Sequence, residues 1–497
     1  MIYLGLNQGG NSAWDNYRRQ WEAKGERFDF ASFVPKPVPD DQNFALAPIV
    51  VSSYAQELDQ TGHQIIPPNT NIVNRLDLET YNDRGLVRMP TNGTGSWTRG
   101  MTVDLQAWQN YYRALATKTN AFPVPPHPQS PAADVLLALG KYDSAIEALR
   151  RAGLRPASRF PLNYDTDPPT LILLPQLSVL KNCSQVLQLR ALAELQNGQT
   201  EDALDDIKLI LRLTESVHTE PFLISHLVRI AMVQMAMQPV WEGLVERKWS
   251  DAQLAELDRE LAGLDFLADY EFSLRAERAL SIASVEHLRR KRDFDRMLNV
   301  DDTAGSDQDR GGSFLGHMAF RLIPGSVFYR NELAIARMNQ QYLLPIVSTE
   351  QHIASPEAAR HADSAIEEMR AHWTPNNVLA AMMLPALTAT VKKYAYAQCS
   401  VDLARIACAL ERYRLAQGKF PESLDALSPA FLQKVPHDLI NGQPLHYQRT
   451  DNDQFLLYSV GWNVTDDGGT VEMSKTSRLV DTAKGDWVWP GAIGGSR

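Results

Sequence analysis

The hydrophobic rhythm of the chain changes three times. Residues 1–125 show no sustained period. "FVPKPVPDDQNFALAPIV" carries Pro35, Pro37, Pro39 and Pro48, and that spacing favours polyproline conformations over helix. "PTNGTGSW" and "FPVPPHPQSP" are further loop signals. The pattern predicts an extended, irregular, Pro-rich N-terminal arm laid over the rest of the protein, because a free linker would not need Trp14, Trp21, Phe30 and Phe44. Over residues 126–395 the apolar positions recur with helical period, as in "EPFLISHLVRIAMVQMAMQPVWEGL" and "DAQLAELDRELAGLDFLADYEFSLRAERALSIASVEHLRR". That period breaks at residues 301–313, "DDTAGSDQDRGGS", whose acidic, Gly-rich composition predicts a mobile loop and the earliest proteolytic nick. Helices resume near Tyr329 and Pro375. Over residues 396–497 the style changes again. Leu403, Ile406, Ala407, Leu410 and Tyr413 make one apolar helix face, which Gly418 and Pro421 end. A short helix at "PESLDAL" follows, and "QPLHYQR", "TDND" and "QFLLYSVGW" then read as strand, turn and strand, so the tail is a small α+β domain.

Two helical stretches share a local design. Gly140 is followed by Ala145, Leu149 and Ala152, and Gly198 by Ala203, Ile207 and Ile210, at offsets of five, nine and twelve in both. The glycine ends one helix, and the small residue lets the next pack closely against it. This resembles the turn and second helix of a tetratricopeptide repeat, although the copies lie 58 residues apart instead of about 34. The fold expected is mainly α: a helical-hairpin domain, tetratricopeptide-like but irregular, between the arm and the α+β tail.

The tail carries a second resemblance. "ALERYRLAQGKFPESLDAL", "VPHDLINGQPLHYQR", "LLYSVGWNVTDDGG" and "GDWVWP" resemble the globular half of a type II secretion major pseudopilin. The elbow of that family, Tyr-x-x-x-x-Gly-x-aromatic-Pro, is matched by Tyr413, Gly418, Phe420 and Pro421. The likeness covers residues 396–490 and implies a hairpin and an acidic calcium-binding loop. A pseudopilin begins with a processed apolar helix, whereas this domain follows a long preceding chain, so a filament subunit of the usual sort is not implied. The whole chain also resembles a group of uncharacterised bacterial envelope proteins with the same three-part layout. Those often carry a membrane anchor before a segment like Trp14–Glu26, so the resemblance implies a periplasmic or envelope setting, with membrane attachment only through an anchor that this chain lacks.

Composition narrows the classes. The chain has 497 residues, 44% apolar and 22% charged, enough for a large core and, at ~150 residues each, roughly three domains. A net charge of −10 without a basic patch argues against nucleic acid as a partner. The one basic run, Arg289 to Arg292, ends a helical pattern, where cations oppose the helix dipole. Cys183, Cys399 and Cys408 form no disulfide framework and read as small core residues. The best apolar run, Val378 to Val391, is too short to span a bilayer and contains Pro385.

Chemistry is sparse. The sequence has no HExxH, GxSxG, GxxxxGK[ST] or strand-associated GxGxxG, and its histidines lack helical metal-ligand spacing. One polar set stands out: Glu220, His226 and Arg229 around the apolar "PFLISHLVRIAMV". His226 and Arg229 are three apart and share a helix face, and a buried arginine must find a carboxylate or carbonyl. The set reads either as a structural network or as a ligand-binding, acid/base site. In the tail, Asn463, Asp466 and Asp467 offer oxygens on a loop that Gly468 and Gly469 let bend, and the pseudopilin resemblance implies Asp486 as a further ligand to a structural calcium. Ordinary turn chemistry explains the same residues. The absence of catalytic motifs favours a non-catalytic scaffold or adaptor that binds a protein or peptide through the helical domain. The alternative is a hydrolase-like enzyme with its site around His226 and Arg229.

Overall fold

A computed structural model of the chain describes residues 2–51, 57–58, 64–65, 76–80, 83–91, 93–292, 323–450, 453–474 and 479–491. The expected mobile loop at 301–313 lies outside the described residues. The fold is mainly helical, with a small sheet region at the C-terminal end. Its helices in chain order are α1 (Ile2–Glu22), α2 (Pro48–Val51), α3 (Leu105–Ala116), α4 (Pro131–Leu139), α5 (Asp143–Gly153), α6 (Gln176–Gln196), α7 (Thr200–Ser216), α8 (Leu223–Val245), α9 (Asp251–Leu261), α10 (Phe266–Lys291), α11 (Gly325–Met338), α12 (Pro356–Ala371), α13 (Val378–Met383) and α14 (Pro385–Gln417). Among the described residues no helix is long and apolar enough to cross a membrane. The three cysteines are free and buried.

The N-terminal 125 residues are not irregular throughout, and this corrects the expectation from proline content. Trp14, Tyr17 and Trp21 fall on one face of α1, which packs along α11. In α3, Leu105, Trp108, Tyr111, Tyr112 and Leu115 are buried, and Asp104 caps the first turn by accepting from the Ala107 N–H. Both helices bury aromatic stripes that a proline count does not see. Between them the described part of the arm runs through short 3-10 turns at Phe30–Phe33, Asp40–Gln42 and Phe44–Leu46 and the single turn α2, with Phe30, Phe33 and Phe44 buried. Helix α1 comes tightly against α11 at Gly10, where an added Cβ would stand 2.9 Å from both the Cβ and the carbonyl oxygen of Ser326. Backbone cannot yield as a flexible side chain can. Gly10→Ala is therefore expected to lower stability by about 1–3 kcal/mol, as overpacking does, and a urea titration against the parent chain checks it.

Of the two glycine-ended pairs, the one at Gly198 packs as a hairpin and the one at Gly140 does not. Gly198 takes φ +78° after α6, and α7 returns against α6 with Ala203, Ile207 and Ile210 buried. Gly140 instead stays right-handed and leads through one 3-10 turn into α5, where Leu149 and Ala152 are buried. Helix α8 packs on both α6 and α7, and α10 packs on α8, so the helices form one continuous core.

The expected boundary at residues 395/396 is also corrected, because α14 runs unbroken through it for 33 residues. Between Pro385 and Gly418 the chain has neither proline nor glycine to interrupt the helix. Gly418 then closes it in the left-handed region at φ +76°. The tail sheet lies beyond: β5 (His446–Thr450) and β6 (Gln454–Ser459) pair antiparallel as the predicted hairpin, and β9 (Trp487–Trp489) adds to the other side of β6. A separate ladder joins β7 (Val471–Met473) to β8 (Val480–Gly485), and smaller ladders pair β1 (Glu57–Leu58) with β2 (Gln64–Ile65) and β3 (Val347–Ser348) with β4 (Ile353–Ala354). The tail is fastened to the helices by tryptophans. Trp489 lies 5.5 Å from Trp97, and Trp241 Nε1 donates to the Pro490 carbonyl at 2.8 Å.

Candidate functional site

Helix α8 begins at Leu223, one turn after the chain leaves α7, and this puts Glu220, His226 and Arg229 at the junction of α7, α8 and α10. Their exposures are 2%, 0% and 1%, so all three are sealed from solvent. The structure brings them together, but in two sets. The Glu220 carboxylate accepts from Gln176 Nε2 at 2.7 Å and from the Ser225 hydroxyl. Arg229 pairs instead with Asp269 of α10 and with Glu215 of α7, the latter at 2.9 Å, and lies over the Phe266 ring at 5.2 Å. His226 joins the sets: its Nε2 is 3.1 Å from the Glu220 carbonyl oxygen and its Nδ1 is 3.8 Å from Asp269 Oδ1.

A carbonyl oxygen only accepts, so the proton of His226 sits on Nε2. Nδ1 then carries the lone pair, and among the described residues it makes no hydrogen bond. Burial, with the Arg229 charge beside it, pushes the imidazole pKa down to about 3, so His226 is neutral near pH 7. Burial likewise raises Glu220 to about 7 against the pull of Ser225 and Gln176. Arg229 is held below its ordinary value by burial, partly offset by Glu215. A neutral imidazole beside a carboxylate is an acid/base pairing in principle. Here the Arg229 contacts cross to α7 and α10 and the Glu220 carboxylate reaches α6, so these groups tie α8 to its neighbours.

Sequence reading found three members of this cluster and missed the partners. Asp269 is 1% exposed and sits among Phe266, Leu267 and Tyr270 on the buried face of α10. A lone acid on an apolar helix face was the available signal. Glu215 and His218 carried none: both are about half exposed, and His218 bridges Glu215 at 3.2 Å and Asp269 at 3.4 Å. A similar knot was also missed. Arg278 is fully buried, donates to Glu26 at 2.7 Å and to the Arg27 carbonyl at 2.7 Å, and so pins the start of the arm to α10.

In the tail, three of the residues expected to hold calcium, Asn463, Asp466 and Asp467, share the loop between β6 and β7, and Asp486, between β8 and β9, is brought against it. Asp486 is buried and accepts from the backbone N–H groups of Asp467, at 3.1 Å, and Gly469, at 2.7 Å. Asp466 accepts from the Tyr458 hydroxyl at 2.9 Å and from the Gly468 N–H at 3.0 Å, bonds that hold its carboxyl below the usual range. Asn463 donates to Asp467 at 2.8 Å. As arranged, these oxygens face the loop's own donors instead of a common centre. Among the described residues no three His, Cys, Asp or Glu are grouped to hold a metal ion. Asp486 is the anchor: with Ala in its place two loop N–H groups lose their acceptor inside the protein. Asp486→Ala is expected to cost on the order of 2 kcal/mol, and hydrogen exchange at the Gly469 amide should quicken with it.

Comparison with family models, curated proteins and solved structures finds no match for this chain.

Proposed function

We propose that the chain is a non-catalytic scaffold or adaptor that holds a protein or peptide partner on its helical domain. One observation carries the reading: the residues best suited to acid/base chemistry, Glu220, His226 and Arg229, are buried and spent on joining three helices. The hydrolase-like alternative would need His226 and Arg229 open to a substrate, and their exposures of 0% and 1% weigh against it.

Two features support the architecture behind this reading. The glycine-ended pair α6–α7 supports tetratricopeptide-like hairpins, whose stacked helices commonly present a binding face. The long α14, the elbow at Gly418 and the hairpin β5–β6 support the pseudopilin-like reading of the tail, and with it a cell-envelope, periplasmic setting. A structural calcium ion at Asn463, Asp466, Asp467 and Asp486 belongs to the same proposal. Its test is melting of the whole chain in millimolar calcium and in chelator. A rise with calcium supports the ion, because a ligand of the folded state alone must stabilise it. Coincident curves leave Asp486 and the loop amides as the fastening.

Crosslinking in the native envelope, read by mass spectrometry, tests the adaptor. The expected result is a reproducible crosslink between the helical domain and one protein, with no turnover of generic ester and peptide substrates. Turnover that His226→Ala abolishes without lowering the melting temperature would overturn the reading.

A further inference from the structure

A cleft of ≈ 350 Å³ opens where the proline-rich arm crosses the end of α7, lined by Pro35, Lys36, Val38, Pro156, Ala157, Ser158, Arg212, Glu215 and Thr219. That volume lies at the small end of the range for ligand sites. Both walls are fixed. On one side Phe44 N–H donates to the Ala157 carbonyl at 2.8 Å and Ala157 N–H to the Gln42 carbonyl at 3.1 Å. Arg159 Nε also donates to the Pro35 carbonyl at 2.9 Å. On the other side Glu215 is held by Arg229 and His218. The cleft is thus formed before any ligand arrives.

Its polar groups are unevenly spent. Arg212 donates through Nε to the Gly153 carbonyl at 2.9 Å and through Nη2 to the Arg155 carbonyl at 2.6 Å, and it stacks over Phe44 at 5.1 Å. Those bonds lock the guanidinium in place and leave Nη1 without an acceptor among the described residues. Lys36 is exposed and makes no ion pair among the described residues. Ser158 Oγ is shut away from solvent and has no hydrogen-bond partner among the described residues. Glu215, the one acid in the lining, is held on the wall by Arg229, which it shares with Asp269, and by His218. What remains is two cationic donors and a hydroxyl facing walls of proline, valine and alanine.

We infer that this cleft binds a ligand with a single carboxylate beside a small apolar group, the carboxylate meeting Arg212, Lys36 and Ser158 and the apolar part lying against Pro35, Val38 and Pro156. Fixed arginine donors suit a planar carboxylate, and the Glu215 carboxylate on the wall works against a dianion such as phosphate. Two sources supply this chemistry, the C-terminus of a peptide or a free organic acid. The inference stands apart from the adaptor reading, since either source is compatible with it or without it.

Calorimetry on the full chain tests the site with N-acetyl-Ala-Pro-Ala as free acid, the same tripeptide as carboxamide, and propionate. The acid is expected to bind with Kd of about 1 mM or tighter, and the carboxamide at least about tenfold more weakly. Lys36→Gln and Ser158→Ala remove groups that hold nothing else, so both should fold normally. Each is expected to weaken the acid by about threefold or more. Propionate that matches the tripeptide assigns the site to free acids, and binding by the tripeptide alone assigns it to peptide termini. Equal binding of acid and carboxamide, no binding at about 10 mM, or unchanged affinity in both variants would overturn the inference.

Discussion

Replacing Arg229 by alanine is expected to destabilise the fold by about 3–5 kcal/mol, the range for breaking one side of a buried ion pair. The cost comes less from the bonds lost than from what is left behind. Asp269 is 1% exposed, and without Arg229 the groups left beside it are the imidazoles of His218 and His226. A carboxylate stranded in that setting must either take up a proton or draw in water, and both weaken the α8–α10 contact. Glu215 loses less, because its side chain is 47% exposed and can be solvated. The double variant Arg229→Met with Asp269→Leu should recover much of the loss, since an apolar pair of similar volume often replaces a buried ion pair at little cost. Urea denaturation of the parent, the single variant and the double variant measures it. A single variant within about 1 kcal/mol of the parent would show that the network carries little of the fold's stability.

Stability should also fall as pH rises from about 6.5 to 9. Several carboxylates are buried with too few donors to hold their charge. Burial raises Glu332 to about 8, and Glu220, Glu242 and Glu277 to about 7. Glu194 and Asp206, which share Arg190, are raised together for the same reason. In the unfolded chain these acids ionise at ordinary values. Above those values the folded state therefore holds protons that the unfolded state has released, and stability is lost as pH climbs through the folded pKa. At 1.36 kcal/mol per unit for each group, the loss between pH 6.5 and 9 should be on the order of 3 kcal/mol after allowance for relaxation. His226 acts in the opposite sense: its depressed value means that stability falls as pH drops from about 6.5 toward about 3. The optimum is expected in mild acid. Denaturant midpoints across this range read the slope directly, and Glu332→Gln should flatten it between pH 6.5 and 8. A midpoint that holds level or climbs to pH 9 would count against buried, protonated carboxylates.

The helical region was legible because burial writes a period into the chain. Ala203, Ile207 and Ile210 lie on the inner face of α7 as their spacing requires, and Leu403, Ile406, Ala407 and Leu410 do the same in α14. The hairpin β5–β6 was equally plain, since a polar turn separates two strand-like runs. The arm was misread in part. Prolines at 35, 37, 39 and 48 suggest an extended chain, while the two long helices of the arm lie on either side of them, at Ile2–Glu22 and Leu105–Ala116. Those helices are specified by aromatic residues that need a surface to pack on, and α1 finds it on α11, more than 300 residues later in the chain.

The polar sites divide along the same line. The sequence by itself determined that Arg229, on an apolar helix beside His226, would need a counter-charge wherever it is buried. Only the tertiary structure decided that the counter-charge is Asp269 and not Glu220, since the choice depends on how α10 crosses α8. Likewise the sequence placed Asp466, Asp467 and the glycines in a turn, but the folded tail alone brings Asp486 back beneath their amides. Local spacing fixes which face of an element is apolar, because that depends on 3.6- or 2-residue repeats within one segment. Which polar groups meet across elements depends on chain crossings tens to hundreds of residues apart, and no local repeat records them.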